Sequence, residues 1–409
     1  MNAAVPHEVA SNDIKPFQVN IQRNVLHDLR RRISATRFAD PEIVRDQSQG
    51  VQDATLRELA RYWADEYDMD RLERRLNAVP QFKTSIDGVD VHFIHVRSRH
   101  RDALPLIITH GWPGSVVELL SVVDPLTDPT AHGGSAADAF HVVIPSMPGY
   151  GFSSAPAETG WNSARIARAW DLLMTRLGYT RYVAQGGDWG ARVCECMAHQ
   201  APPGLEGIHM NLLLTLPQDV SRALAINAPA PSAFADAERN AYDQLRARGP
   251  VGYRFVQGTR PQTIGASLAD TPVGLAAWLL DHDHTSYLKM AAAIAGDPAG
   301  SLSRDEILDN TTLYWVTNSA TSAARLYWEE GRMSLSGSAT GPAAYTVFPD
   351  EYLTPPRSWV AAAFDNLVYF HEAERGGHFA SWEEPAIFTE EVRAAFRSRR
   401  RSDGAGTHP

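Results

Sequence analysis

Hydrophobic and polar positions alternate with different periods along the chain. From Val19 to Ile33 and from Ala54 to Leu76 the spacing is helical; Leu56, Leu59, Ala60, Trp63, Tyr67 and Leu72 fall near i, i+3, i+4. Residues 1–85 therefore read as a helical N-terminal region, rich in Arg, Asp and Glu, that packs on something else. After the Asp87-Gly88 turn the period changes. Val89–Val96 reads as a strand, and Leu104–Thr109 as an apolar run buried on both faces of a sheet. Next come a helix over Ser115–Leu126 and a strand over Phe140–Ile144. An amphipathic helix over Ser163–Leu177 gathers Ile166, Trp170, Leu173, Met174 and Leu177 on one face, with Gly178 closing it. A strand (Tyr182–Gln185), a helix (Ala191–Gln200) and a strand (Leu205–Leu212) follow. Such alternation predicts a mostly parallel sheet covered by helices on both faces, an α/β fold.

Between 216 and 340 the alternation stops. The stretch is Ala-rich, helical in pattern and broken by prolines from Pro217 to Pro272, as expected of an inserted helical lid. After Gly341 strands return at Ala344–Phe348 and Leu367–Phe370, and a last helix spans Pro385–Phe396. The expected organisation is an N-terminal helical segment (1–85), a core in two parts (86–215 and 341–400), a lid (216–340) and a disordered tail (401–409).

Composition narrows the class. The 409 residues carry 44% apolar and 21% charged residues, ordinary for a soluble globular protein. The net charge of -10, with no basic run outside Arg397–Arg401, excludes a nucleic-acid surface. Only three lysines occur (Lys15, Lys83, Lys289), which reads as the composition bias of a GC-rich bacterial genome. Cys194 and Cys196, two apart in a helix, point to different sides and read as buried thiols of a reducing compartment. The first 30 residues hold no apolar signal, and no stretch approaches the ~20 residues that span a bilayer. A cytoplasmic protein without a membrane anchor is expected.

The sharpest chemical signal is Gly186-Gly187-Asp188-Trp189-Gly190, between a predicted strand and a predicted helix. Small residues two before and two after a central residue permit a tight strand-to-helix turn that lifts that side chain over the sheet edge. Here the lifted residue is Asp188. A carboxylate attacking a saturated carbon forms an ester that water can hydrolyse; an alkoxide would form an ether. It also needs no base to ionise it at neutral pH. His110-Gly111-Trp112-Pro113-Gly114-Ser115 follows another strand, and in this kind of fold such a loop gives one oxyanion N–H. The second comes from the residue after the nucleophile. The assignments are Trp112 and Trp189. Glu374-Arg375-Gly376-Gly377-His378-Phe379 follows the last strand, so His378 is the candidate base for water. Phe348-Pro349-Asp350-Glu351-Tyr352 offers two acids to hold that imidazole, and spacing does not choose between Asp350 and Glu351.

These segments, in this order, resemble the microsomal-type epoxide hydrolases. Residues 15–40 resemble that family's N-terminal meander, and the resemblance runs from about residue 14 to 397. It implies an α/β-hydrolase core, a helical lid and hydrolysis of an epoxide to a vicinal diol. It favours Glu351 as the charge-relay acid. It also implies two lid tyrosines that donate to the epoxide oxygen, matched by Tyr253 in GYRFVQGTRP and Tyr327 in ARLYWEE. Mammalian members begin with a membrane anchor, a feature not matched here.

Asp281-His282-Asp283-His284 reads as a polar lid loop without the spacing of a metal site. No cofactor or metal is expected, and no phosphate-binding fingerprint occurs. The expected partners are a small hydrophobic epoxide and water, with a homodimer left open. The competing function is a haloalkane or haloacid dehalogenase, which shares the Asp nucleophile but needs halide donors such as indole N–H groups. A non-catalytic hydrolase-fold binder is a third reading, opposed by the presence of every candidate residue.

Overall fold

The structure, a computed structural model, describes residues 13–248, 251–298, 300–333, 335 and 337–400. The tail expected to be disordered (401–409) lies outside the described residues. Among the described residues nine strands form one sheet: β1 (Lys15–Phe17), β2 (Gln81–Ile86), β3 (Val89–Val96), β4 (Leu104–Thr109), β5 (Phe140–Pro145), β6 (Tyr182–Gly186), β7 (Leu205–Met210), β8 (Ala339–Val347) and β9 (Phe364–Glu372). Their order is β1-β2-β3-β5-β4-β6-β7-β8-β9. The pairs β1·β2, β2·β3 and β3·β5 are antiparallel, and every pair from β5 to β9 is parallel. This is the arrangement of the α/β-hydrolase fold.

Alternation along the strands explains the two-sided core. On β4, Ile107 enters one apolar cluster while Leu106 and Ile108 enter the other; on β5, Val143 is separated from Val142 and Ile144 in the same way. The helix Ser163–Arg176 buries Ile166, Trp170, Leu173 and Met174, the face that periodicity selected. Gly178 follows it at φ +84, the left-handed turn that ends a helix without a Cβ penalty.

The N-terminal region is not wholly helical. It contributes β1 and β2 to the sheet edge, and its second periodic stretch is two helices, Asp53–Asp65 and Arg71–Asn77. It docks on the helices between β7 and β8, which run from Gln218–Ala225 to Ala320–Glu330. The helix Arg304–Thr317 provides the dock. Its Asp309 accepts from Tyr67 Oη at 2.6 Å and Arg71 Nε at 3.1 Å, and Thr312 accepts from Trp63 Nε1 at 3.2 Å. The N-terminal segment thus clamps the lid by buried polar contacts, which are costly to leave unpaired. No helix among the described residues is long and apolar enough to cross a membrane.

Candidate active site

The turn after β6 places Asp188 at φ +48 and ψ -125, a conformation that non-glycine residues rarely adopt. The turn needs its flanking glycines. A Cβ on Gly186 would lie 2.2 Å from the carbonyl of Gly190, and one on Gly190 would lie 1.9 Å from the carbonyl oxygen of Thr109. With both absent, the helix Trp189–Gln200 starts directly beneath the side chain and β4 passes close by.

The loop after β4 meets Asp188. The Trp112 N–H donates to Asp188 Oδ1 at 2.7 Å. Trp189 is the first residue of its helix, so its N–H has no intrahelical acceptor. With Oδ1 held, Oδ2 is the free oxygen, 3.7 Å from His378 Nε2. His378 Nδ1 lies 2.9 Å from Glu351 Oε1, which also accepts the Tyr352 N–H at 2.8 Å. Asp350, the other acid of that segment, pairs instead with Lys289 at 2.8 Å and is half-exposed. Burial alone would lower the His378 pKa, but the charges of Glu351, Asp188 and Asp283 outweigh it and raise it to about 10. The resting imidazole is therefore protonated.

Tyr253 and Tyr327 come from separate lid helices, Gly252–Thr259 and Ala320–Glu330. Their rings lie 5.9 Å apart at 89°, edge to face. Tyr253 stacks on Trp112 at 4.5 Å, and Tyr327 meets Trp189 at 4.6 Å. Burial, then neighbouring groups including Asp188, holds both phenols well above their ordinary pKa of 10. The lid thus sets two neutral donors over the carboxylate.

Two residues in the site lack a role in the sequence reading. His282, taken as part of a polar lid loop, is buried, and its ring stacks on His378 at 4.1 Å and 32°. Asp283 fixes it there: it caps the helix His284–Ile294 by accepting from the Ser286 N–H at 3.0 Å and lies 2.9 Å from His282 Nδ1. Asp188, His282 and His378 each bring one ligand-type atom within 4.8 Å of the others, a trio that the linear spacing of Asp281–His284 hid. Glu118 is the second. It is a buried acid in the otherwise apolar stretch Val116–Leu120, and that isolation was the available signal.

Small cavities flank Asp188. One, with room for a single water, is lined by Gly111, Glu118, Gln185, Asp188, Asn211 and His378 among others. The other faces the lid and is lined by Asp188, Trp189, Leu214, Tyr253, Arg254, Tyr327 and Tyr352.

Known proteins share this construction. Residues 14–119 match the family model described as epoxide hydrolase N terminus, and residues 105–385 match that of the alpha/beta hydrolase fold. The chain is 47% identical to a putative epoxide hydrolase of Stigmatella aurantiaca, over 95% of this chain and 86% of that one. It is 34% identical to epoxide hydrolase 1 of Sus scrofa, over 95% and 89%. The chain belongs to the epoxide hydrolase family. Two solved structures of similar proteins superpose closely on this epoxide hydrolase family member. The juvenile hormone epoxide hydrolase of the silkworm Bombyx mori gives a TM-score of 0.83 at 30% identity, covering 96% of each chain. The epoxide hydrolase of Aspergillus niger gives 0.80 at 29% identity, covering 95% of this chain and 97% of that one.

Proposed function

We propose that the chain hydrolyses a small hydrophobic, preferably aryl, epoxide to a vicinal diol through a covalent ester on Asp188. The observation that carries the reading is the division of labour around one carboxylate: Oδ1 is held by an amide, Oδ2 is free, an imidazole stands beside it and two phenols stand over it. In this reading Oδ2 attacks a ring carbon and the carbon–oxygen bond breaks. The electron pair goes to the oxygen, which takes a proton from Tyr253 or Tyr327. His378 gives up its proton through solvent, which makes good the phenol and leaves a neutral base.

Water then attacks Cγ of the ester, giving one proton to His378. The charge that forms on Oδ1 is met by the Trp112 N–H and, in this assignment, by that of Trp189. Each such donor is worth about 2.7–4 kcal/mol. Collapse breaks the Cγ–Oδ2 bond, and His378 returns its proton to the departing alkoxide. The new carboxylic acid gives its proton to His378, restoring the starting state. Glu351 keeps Nδ1 protonated and opposes the imidazolium charge.

Family membership sets aside the dehalogenase alternative. Its indole donors are not required where two phenols already face the nucleophile. The detoxification or aromatic-catabolism setting, the cytoplasmic location and a homodimer belong to the same proposal. A single turnover by excess enzyme in ¹⁸O-water tests the chemistry. The label is expected in the Asp188 carboxylate and not in the first diol formed. A diol that carries the label at once would mean direct attack by water and end the reading.

A further inference from the structure

The two cavities beside Asp188 do not touch the same groups. Tyr253 and Tyr327 line the lid-side cavity, which His378 does not reach; His378 lines the other, which neither tyrosine reaches. An epoxide oxygen held by the phenols belongs on the lid side. A water activated by His378 belongs on the opposite side, in the space that fits one water. Besides Asp188 and His378, the ionisable side chain on that wall is Glu118.

Glu118 is placed there by the loop that supplies the Trp112 amide. It lies in the 3-10 turn Val116–Leu119, and its carboxyl folds back over the loop. A Cβ on Gly114 would lie 1.7 Å from Glu118 Oε2, so a glycine at 114 is what makes room for the acid. Glu118 is buried, and its carboxyl takes backbone hydrogen bonds from Gly111 and Ser115 of the same loop. Of the other polar groups on that wall, Asn211 Oδ1 already accepts from Gln185 Nε2 at 3.1 Å and Thr109 Oγ1 from Trp170 Nε1 at 3.0 Å, whereas the buried acid faces the water-sized space. One hydrogen of the water goes to His378; the other needs an acceptor, or the attacking lone pair is not aimed.

We infer that Glu118 is the second holder of the hydrolytic water: its carboxyl oxygen accepts one hydrogen while His378 Nε2 takes the other, turning the water's lone pair toward Cγ of the Asp188 ester. Burial raises the Glu118 pKa to about 8, so the group is neutral at pH 7 and its carbonyl oxygen is the acceptor. It orients the water without competing with His378 for the proton. The inference rests on the ester reading above and concerns only its second half.

The test is single-turnover kinetics of Glu118→Leu, Glu118→Gln and His378→Gln, with the ester on Asp188 followed by mass spectrometry after quenching. In Glu118→Leu, ester formation should stay within about twofold of wild type. Ester hydrolysis should slow roughly tenfold to a hundredfold, so that the ester accumulates. Glu118→Gln, which keeps a carbonyl acceptor of the same shape, should restore most of the hydrolysis rate and shows that the site tolerates a neutral group. Unchanged hydrolysis in Glu118→Leu, an equal slowing of both steps, or a Gln variant as slow as the Leu variant would each overturn the inference. His378→Gln separates the two levels. If it traps no ester on Asp188, the nucleophile assignment is what fails. If it traps ester and Glu118→Leu does not, only the role of Glu118 falls.

Discussion

His378 Nε2 stands 3.7 Å from Asp188 Oδ2, just beyond hydrogen-bond length, although both groups are held firmly from behind. A serine nucleophile must touch its histidine to lose a proton. A carboxylate has no proton to lose, so the imidazole can stand off and serve a water. That separation leads to the first prediction. His378→Gln should still form the ester but hydrolyse it roughly 10²- to 10⁴-fold more slowly, the usual worth of a general base. Rapid-quench mass spectrometry of the Asp188 peptide reads the outcome, and a variant that loses ester formation as well would contradict it.

The acids of the β8 loop should separate cleanly. Glu351 Oε1 is 2.9 Å from His378 Nδ1 and is buried; Asp350 faces Lys289 at the rim. Glu351→Gln is expected to lower steady-state turnover by roughly 10²–10⁴, because the amide neither fixes the tautomer nor opposes the imidazolium charge. Asp350→Asn should leave turnover within about twofold, its ion pair being partly solvated. Equal losses in the two variants would mean that the segment acts through folding alone.

In the proposed reaction Tyr253 and Tyr327 donate to an oxygen that becomes charged only as the ring opens, so their loss should be felt in ester formation and not in ester hydrolysis. Each single Phe substitution should slow alkylation roughly tenfold to a hundredfold. The double variant should form no measurable ester. Both phenols are held well above pKa 10, so alkylation should show no loss of a donor up to pH 10. A stopped-flow series with a chromogenic aryl epoxide separates the steps; slower hydrolysis with unchanged alkylation would reverse the assignment.

The His282 ring lies against that of His378, with centroids 4.1 Å apart and planes at 32°. His282→Phe keeps an aromatic face there, whereas His282→Ala removes it. Ester hydrolysis should therefore fall further in the Ala variant, by roughly twofold to tenfold relative to Phe, on the scale of an aromatic contact of about 0.5–1.5 kcal/mol. Equal rates in the two variants would show that stacking does not position the base.

Much of this architecture was legible in linear spacing. The predicted strands at Val89–Val96 and Leu104–Thr109 coincide with β3 and β4: β4 is parallel to both neighbours and is a short, unbroken apolar run, whereas β3 is antiparallel and is marked by the Asp87-Gly88 turn before it. Asp188 could be read because its turn permits so few residue types around it. The edge strands β1 and β2 escaped: three residues at Lys15–Phe17 carry no period, and Gln81–Ile86 mixes polar and apolar residues beside a helical stretch. The helix expected through Leu76 breaks after Asp65, where Tyr67 turns its hydroxyl to Asp309 in the lid. That contact spans 242 residues, and local pattern holds no trace of it. The same applies to the site. Tyr253 and Tyr327 were reached only by resemblance, among 13 tyrosines. His282 and Glu118 were missed because their meaning lies in what the fold sets beside them.

Buried histidines make stability depend on pH with opposite signs. Burial holds the pKa of His92, His110 and His209 down to about 3, 4 and 3. In the unfolded chain each binds a proton near pH 6.5. Their contribution is full above that pH and is lost as pH falls toward the folded values, each adding up to about 1.4 kcal/mol per pH unit to the acid slope. His378 behaves inversely. Its folded pKa is raised to about 10, so its contribution is full below pH 6.5 and is lost as pH rises from there through 10. Stability should therefore peak near neutrality. Urea midpoints between pH 4 and 10 should show a His378→Gln variant with a flatter alkaline limb and an unchanged acid limb. An alkaline limb identical to wild type would mean that the imidazolium at the nucleophile does not exist at rest, and with it would go the proton that makes good the phenol after ring opening.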